Sequence, residues 1–333
     1  MFYMYKMMFL ISLTIGTMIT ISSYSWLGMW MGMEINLLSI IPLFTNSKNM
    51  LNNEAAMKYF ITQALASTMM LFSIILLSTN MFNNWENLNL IFNSSMLTKM
   101  GAAPFHFWFP EVMEGLNWMN CLLLLTWQKI APMILIMYNN MTMFFSLIIM
   151  ISMFISGIMG INQISLRKIL AYSSINHIGW MLSSLMFIES IWIIYMITYT
   201  FISMNMIFMF NKLNIFYMKQ MFMMMNKNLL MKMFFILNFF SLGGLPPFLG
   251  FMPKWLTLQI LTENKLFMMS MIMVIMTLMT LYFYTRIMIS TLMINMNELN
   301  YNFNFKINSW NLMLMNFFSL TGLLSITFIF NFY

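Results

Sequence analysis

The sequence predicts an all-α polytopic membrane protein of about eleven transmembrane helices, arranged as an inverted five-helix repeat with two broken helices. Three observations point there. Of 333 residues, 61% are hydrophobic and 7% charged, and the mean hydropathy is +0.81, whereas soluble domains carry roughly 25% charged residues. Such a chain cannot coat a water-facing surface, which excludes a soluble enzyme, a nucleic-acid binder and a disordered protein. Apolar runs of about 20 residues, the length that crosses a bilayer, recur from end to end. Two of these runs carry the same pattern of Gly and Pro.

The runs fall near 5–23, 26–45, 55–79, 89–117, 119–138, 142–162, 167–187, 190–211, 232–261, 266–288 and 310–331. The fourth and ninth are long and interrupted. Eleven crossings place successive loops on alternate sides, so the Lys and Arg positions check the count. One side receives Lys6, Lys48, Lys58, Arg167, Lys168, Lys212, Lys219, Lys227, Lys232, Arg286 and Lys306, while the other receives Lys265 with Glu86, Glu189 and Glu263. This asymmetry follows the positive-inside rule. Most of the net charge of +7 is therefore topology.

The chain has 49 Met and 34 Phe, two Val (Val112 and Val274), and only Glu among its 8 acidic residues. Packing in lipid does not ask for Met over Val, so this is codon bias of the kind found in animal mitochondria. The basic side is then the matrix, with the N-terminus there and the C-terminus towards the intermembrane space. No Arg-rich presequence precedes the first run, which fits insertion from inside the organelle. Cys121 leaves no disulfide partner and too few thiols for an iron–sulfur cluster.

Lys99, Lys129 and Lys254 remain among the basic residues, and Glu34 lies within the second run. A charge at bilayer depth costs several kcal/mol, so such residues face protein or water and mark function. Lys129, in LTWQKIAP, sits about ten residues from either end of its run, roughly 15 Å at 1.5 Å per residue. Its bland reading is a snorkelling or carbonyl-binding lysine. For Glu34 the bland reading is a structural hydrogen bond, and for Lys99 and Lys254 it is capping of carbonyls freed at the helix breaks. His177 lies in a run made polar by Tyr172, Ser173, Ser174 and Asn176; it reads either as a proton carrier or as a satisfied core histidine. His106 is a weaker candidate, and Lys168 is either a proton entry or a topological charge. Gly28 and Gly32 form a GxxxG suited to helix packing.

The interrupted runs share G-x-x-P-F-x-x-x-x-P, as Gly101, Pro104, Phe105 and Pro110 and as Gly244, Pro247, Phe248 and Pro253, offset by 244 − 101 = 143 residues. The match predicts a first repeat near 1–138, a second near 142–288 and a C-terminal helix at 310–331, within one membrane domain 1–333. Five is odd, so the second copy enters the membrane inverted. Broken helices at matching positions of inverted repeats are a mark of ion-coupled transport. Lys99 and Lys254 are not equivalent in this register; Glu111 aligns with Lys254.

The strings SWLGMWMGMEINLLSIIP, KMGAAPFHFWFPEVMEGLNW, LTWQKIAP, LRKILAYSSINHIGWMLSS and LGGLPPFLGFMPKW resemble the chain 2 family of mitochondrial NADH:ubiquinone oxidoreductase, respiratory complex I, in its short animal form and close to arthropods. The resemblance covers nearly the whole chain. It implies an antiporter-like, proton-pumping subunit of the membrane arm, with Glu34, Lys99, Lys129 and Lys254 matching the family's mid-membrane charged residues. It implies other membrane-arm subunits and phospholipids as partners, and no nucleic acid. FMN, iron–sulfur clusters and ubiquinone belong to the complex, with no cofactor or metal bound by this chain. In the resulting hypothesis Glu34 pairs with Lys99, Lys129 passes a proton towards the second half, and Lys254 offers the exit. A stand-alone cation/proton antiporter and a structural scaffold are the alternatives; three lysines at depth argue against the scaffold.

Overall fold

The computed structural model describes residues 4–46, 49–79, 85–225 and 229–293, with Phe317 and Gly322. Apart from those two positions, the expected helix 310–331 lies outside the described residues, as do Lys48, Lys227 and Lys306. The chain divides into two compact units, Met1–Ile148 and Ile149–Tyr333. The first holds α1 (Met4–Ser22), α2 (Trp26–Phe44), α3 (Met50–Thr79), α4 (Trp85–Met100), α5 (Trp108–Gly115), α6 (Trp118–Leu125) and α7 (Trp127–Met137). The unit boundary falls within α8 (Thr142–Ile161). The second unit continues with α9 (Leu166–Leu185), α10 (Glu189–Leu213), α11 (Met218–Met225), α12 (Leu229–Gly243), α13 (Phe251–Glu263) and α14 (Phe267–Met293).

Among the described residues, seven helical stretches are long and apolar enough to cross a membrane: α1, α2, α3, the α6–α7 pair, α8, α10 and α14. The fourth and ninth expected spans are divided, as α4–α5 and α12–α13. The seventh is α9, whose serines, Asn176 and His177 dilute its apolar character. It is nonetheless the core of the second unit, with every residue from Ile169 to Leu185 buried.

The two expected breaks have the same backbone solution. Gly101 has φ +74° and Gly244 φ +76°, and cis peptides follow at Ala103–Pro104 and Pro246–Pro247. At the first, Gly101 N–H donates to Thr98 O and Ala102 N–H to Leu97 O; at the second, Gly244 N–H donates to Ser241 O and Leu245 N–H to Phe240 O. This pair of bonds around a left-handed residue is the Schellman cap, which glycine adopts without a Cβ penalty. The G-x-x-P motif thus ends α4 and α12 in one way.

A third interruption was not expected. The run 119–138 divides at Thr126, whose N–H and hydroxyl both turn back to Leu122 O, at 3.0 and 2.8 Å. Pro132, inside α7, lacks the N–H that would bond the carbonyl four residues earlier and crowds that carbonyl, and a Thr bonded back to i−4 bends a helix further. The connection before α12 also contains the short helix α11, which the sequence reading treated as loop.

The α1–α2 hairpin is held by close approach. A Cβ on Gly32 would lie 2.6 Å from Thr20 Cγ2 and 2.8 Å from its backbone N, and one on Gly16 would lie 3.0 Å from Asn36 N. Gly28, the other half of the GxxxG, faces Ser23 and Ser25 of the connecting turn instead. Gly32→Leu should destabilise the hairpin by about 1–3 kcal/mol through overpacking and lower the amount of assembled protein on native gels. Gly243→Ala, where a Cβ meets nothing closer than 3.7 Å, should leave that amount unchanged.

Candidate functional site

In the first unit the candidate side chains gather around the α4–α5 break. Lys99 closes α4 and is 6% exposed. Its carbonyl, freed by the break, accepts from Gln63 Nε2 of α3 at 3.3 Å, and that of Thr98 accepts from the Trp108 indole N–H at 3.0 Å. Phe109 packs beneath Gly101, where a Cβ would meet its ring at 3.0 Å. The Lys129 ammonium lies 5.8 Å from the centre of that same ring, at the start of α7 just past the Thr126 interruption, and Lys129 is 0% exposed. A cation over an aromatic face recovers part of the attraction it loses on leaving water.

The orientation of α7 is set by the neighbouring Gln128. Its Nε2 donates to Asn36 Oδ1 at 2.9 Å and its Oε1 accepts from the Tyr59 hydroxyl at 3.2 Å, so α2, α3 and α7 share one buried polar link. Glu34 lies two residues before Asn36 and is half-buried. Its carboxylate is within electrostatic range of Lys99, yet the pair makes no direct ion contact of 4.0 Å or less. The expected Glu34–Lys99 pair is thus a through-space interaction. The ion pairs shown in this unit are those of Lys58, 3.0 Å from Glu54 and 2.9 Å from Glu111. Lys58, counted as a topological charge, therefore ties α3 to α5.

In the second unit the break is capped by a side chain. Lys254 Nζ donates to Gly243 O at 2.8 Å and lies 3.5 Å from Leu242 O, the last carbonyls of α12, and the residue is 7% exposed. A Cβ on Gly244 would come within 2.7 Å of Lys254 Cδ, so the glycine makes room for the lysine. The alternative reading of Lys254 as a carbonyl cap describes this geometry. Its ammonium also lies 5.8 Å from the Trp180 ring of α9. Lys254 and its repeat equivalent Glu111 thus both serve a break, one by capping carbonyls and the other by an ion pair.

One turn before Trp180, His177 Nδ1 lies 2.8 Å from the Tyr195 hydroxyl, and its ring packs on Tyr199 with centroids 4.9 Å apart. Tyr199 of α10 lies near Ser174 and Tyr284 of α14 near Ser173, so hydroxyls of three helices gather beside His177. Both amide atoms of Asn176 and the Trp180 indole N–H are buried with no hydrogen-bond partner among the described residues. Lys168 is half-buried at the start of α9. His106 is buried, with Nδ1 3.3 Å from Pro104 O in the first break, a satisfied structural role. Lys232, counted with the loop charges, is buried inside α12. No group of three or more His, Cys or Glu that could hold a metal occurs among the described residues.

Gln63, Gln128, Asn36, Tyr195, Tyr199 and Tyr284 escaped the sequence reading, which weighed hydroxyls and amides only in the run around His177 and charge elsewhere. The available signals were Gln128 beside Lys129 and Tyr195 and Tyr199 one turn apart in an apolar run.

The family described as NADH:quinone oxidoreductase/Mrp antiporter, TM, matches residues 23–280. The NADH-ubiquinone oxidoreductase chain 2 of Anopheles gambiae is 51% identical, over 97% of both chains, and that of Aedes aegypti 52% identical over the same shares. This chain belongs to the NADH-ubiquinone oxidoreductase chain 2 family. The chain 2 family is multi-pass and forms part of the membrane arm of respiratory complex I, among other subunits. A chain of respiratory complex I from Thermus thermophilus superposes with a TM-score of 0.87 at 20% identity, over 97% of this chain and 79% of that one. A chain of the Mrp complex from Dietzia gives 0.74 at 14% identity, over 84% of this chain and 59% of that one. The antiporter-like fold expected from the sequence is the fold observed.

Lys254→Met should leave the carbonyls of α12 without their donor, a loss of about 1–3 kcal/mol for a buried acceptor. The expected outcome is a lower thermal inactivation temperature of the assembled complex, with Lys254→Arg closer to wild type.

Proposed function

We propose that this chain carries protons across the mitochondrial inner membrane through buried charged stations: Glu34, Lys99 and Lys129 in the first unit, and Lys254 with His177 in the second. The observation that carries this reading is the placement of the three lysines, each almost wholly buried and each at an interruption of a membrane helix. Ionised side chains at such depth are costly, and a polar break is where backbone groups and water can share their charge. Glu34 lies within electrostatic range of Lys99, so a change of charge at one is felt by the other. Buried polar atoms of Asn176 and Trp180 in the second unit suit ordered water, which proton movement requires.

NADH oxidation and ubiquinone reduction belong to the assembly, where FMN and iron–sulfur clusters carry the electrons. The chain contributes the passage of protons. Lys129→Met should keep the complex assembled and lower proton translocation per NADH oxidised severalfold, measured in proteoliposomes; translocation at the wild-type ratio would remove Lys129 from the relay.

For Lys254 a second reading has its own support. Its contact with Gly243 O serves the break whether or not a proton moves, and loss of stability without loss of coupling in Lys254→Met would favour it.

The basic asymmetry of the loop residues supports an N-terminus in the matrix and a C-terminus towards the intermembrane space, with Lys168 read among the charges that orient the chain. A protease site inserted within 213–230 should be cut from the matrix side alone; cleavage from the outer side overturns this orientation.

A further inference from the structure

We propose that Tyr195 is the positioning residue of His177, holding the imidazole in the tautomer that exchanges protons at Nε2. The inference rests on the relay reading of His177. His177 Nδ1 lies 2.8 Å from the Tyr195 hydroxyl, and the two residues are 7% and 1% exposed. Tyr199, one turn further along α10, packs on the same ring. Two residues of one helix thus grip the imidazole, by a hydrogen bond and by a ring face. Because α9 is buried on all sides by this chain itself, a neighbouring subunit has no route to supply a different partner at that position.

Which ring nitrogen of a neutral histidine carries the proton is set by the hydrogen bond the other makes. In the proposed arrangement the Tyr195 oxygen accepts from Nδ1–H across the 2.8 Å contact, which leaves the lone pair of the neutral ring on Nε2. A proton delivered by an ordered water forms an N–H bond at Nε2, and release to the next water breaks that same bond. The Nδ1–H to Tyr195 contact is present in both charge states, so the ring gains and loses charge without turning. Among the described residues, titratable groups packed against this part of α9 include Tyr195 and Tyr199 of α10, Tyr284 of α14 and Lys254 of α13, with Tyr172 and Lys168 on its own helix.

Tyr195→Phe keeps the ring and removes the hydroxyl. In the assembled complex it should lower proton translocation per NADH severalfold and shift the pH profile of that ratio, and adding it to His177→Ala should cost nothing beyond His177→Ala alone. Tyr195→Gln, whose amide oxygen can accept from Nδ1–H, should recover part of the loss, and serves as well if the Phe variant assembles poorly. If His177→Ala is impaired while Tyr195→Phe keeps both the wild-type ratio and its pH profile, the Tyr195 assignment fails and the relay reading stands. A Gln variant no better than Phe overturns the assignment too. If His177→Ala itself translocates at the wild-type ratio, His177 leaves the relay and the assignment falls with it.

Discussion

A backbone carbonyl freed inside hydrocarbon has to find a donor within the chain, because lipid offers none. Much of this structure answers to that demand. The breaks at the ends of α4 and α12 release carbonyls, and each is served by groups brought from elsewhere: the Gln63 amide and Trp108 indole at the end of α4, and the Lys254 ammonium at the end of α12. Asn120 donates in the same way to Leu43 O, near the end of α2. The cost of the breaks is thereby offset locally, and what remains is polar backbone at membrane depth, the setting in which a buried lysine can exist.

The two units meet the same demand differently. Their breaks share the Schellman geometry, yet the aligned pair Glu111 and Lys254 have opposite charge and different tasks. Glu111 reaches outward to the partly exposed Lys58, where solvent screens the pair and its worth is small. Lys254 reaches inward to carbonyls. Duplication preserved the turn, which depends on backbone, and allowed the side chain after the second proline to diverge. The first unit then carries its buried cations on α4 and α7, and the second combines one lysine with the hydroxyl-lined His177 of α9.

Legibility in the sequence followed the strength of the physical signal. A lysine in an apolar run has one explanation class, so Lys99, Lys129 and Lys254 stood out and all three prove buried. Glu34 stood out for the same reason, but its distance from Lys99 depends on how α2 and α4 pack, and no spacing rule carries that. Lys232 was counted as a flanking charge because a cation near the end of an apolar run looks like one, and only the structure shows the helix starting earlier and burying it. The interruption before Lys129 was missed although Pro132 announced it, because a single proline without a glycine is tolerated in many membrane helices.

The sequence by itself determined that this chain lives in a membrane, where two of its apolar segments break and which charges are buried among them. These follow from composition and from patterns within one segment, where free energies of transfer and glycine's left-handed backbone leave little choice. Only the tertiary structure decided what those charges touch: Phe109 beneath Lys129, the α12 carbonyls at Lys254, Tyr195 at His177, and Gln128 linking three helices. Such contacts join residues 11 to 92 positions apart, and they depend on helix rotation and depth, which apolar periodicity in a uniformly apolar chain does not specify.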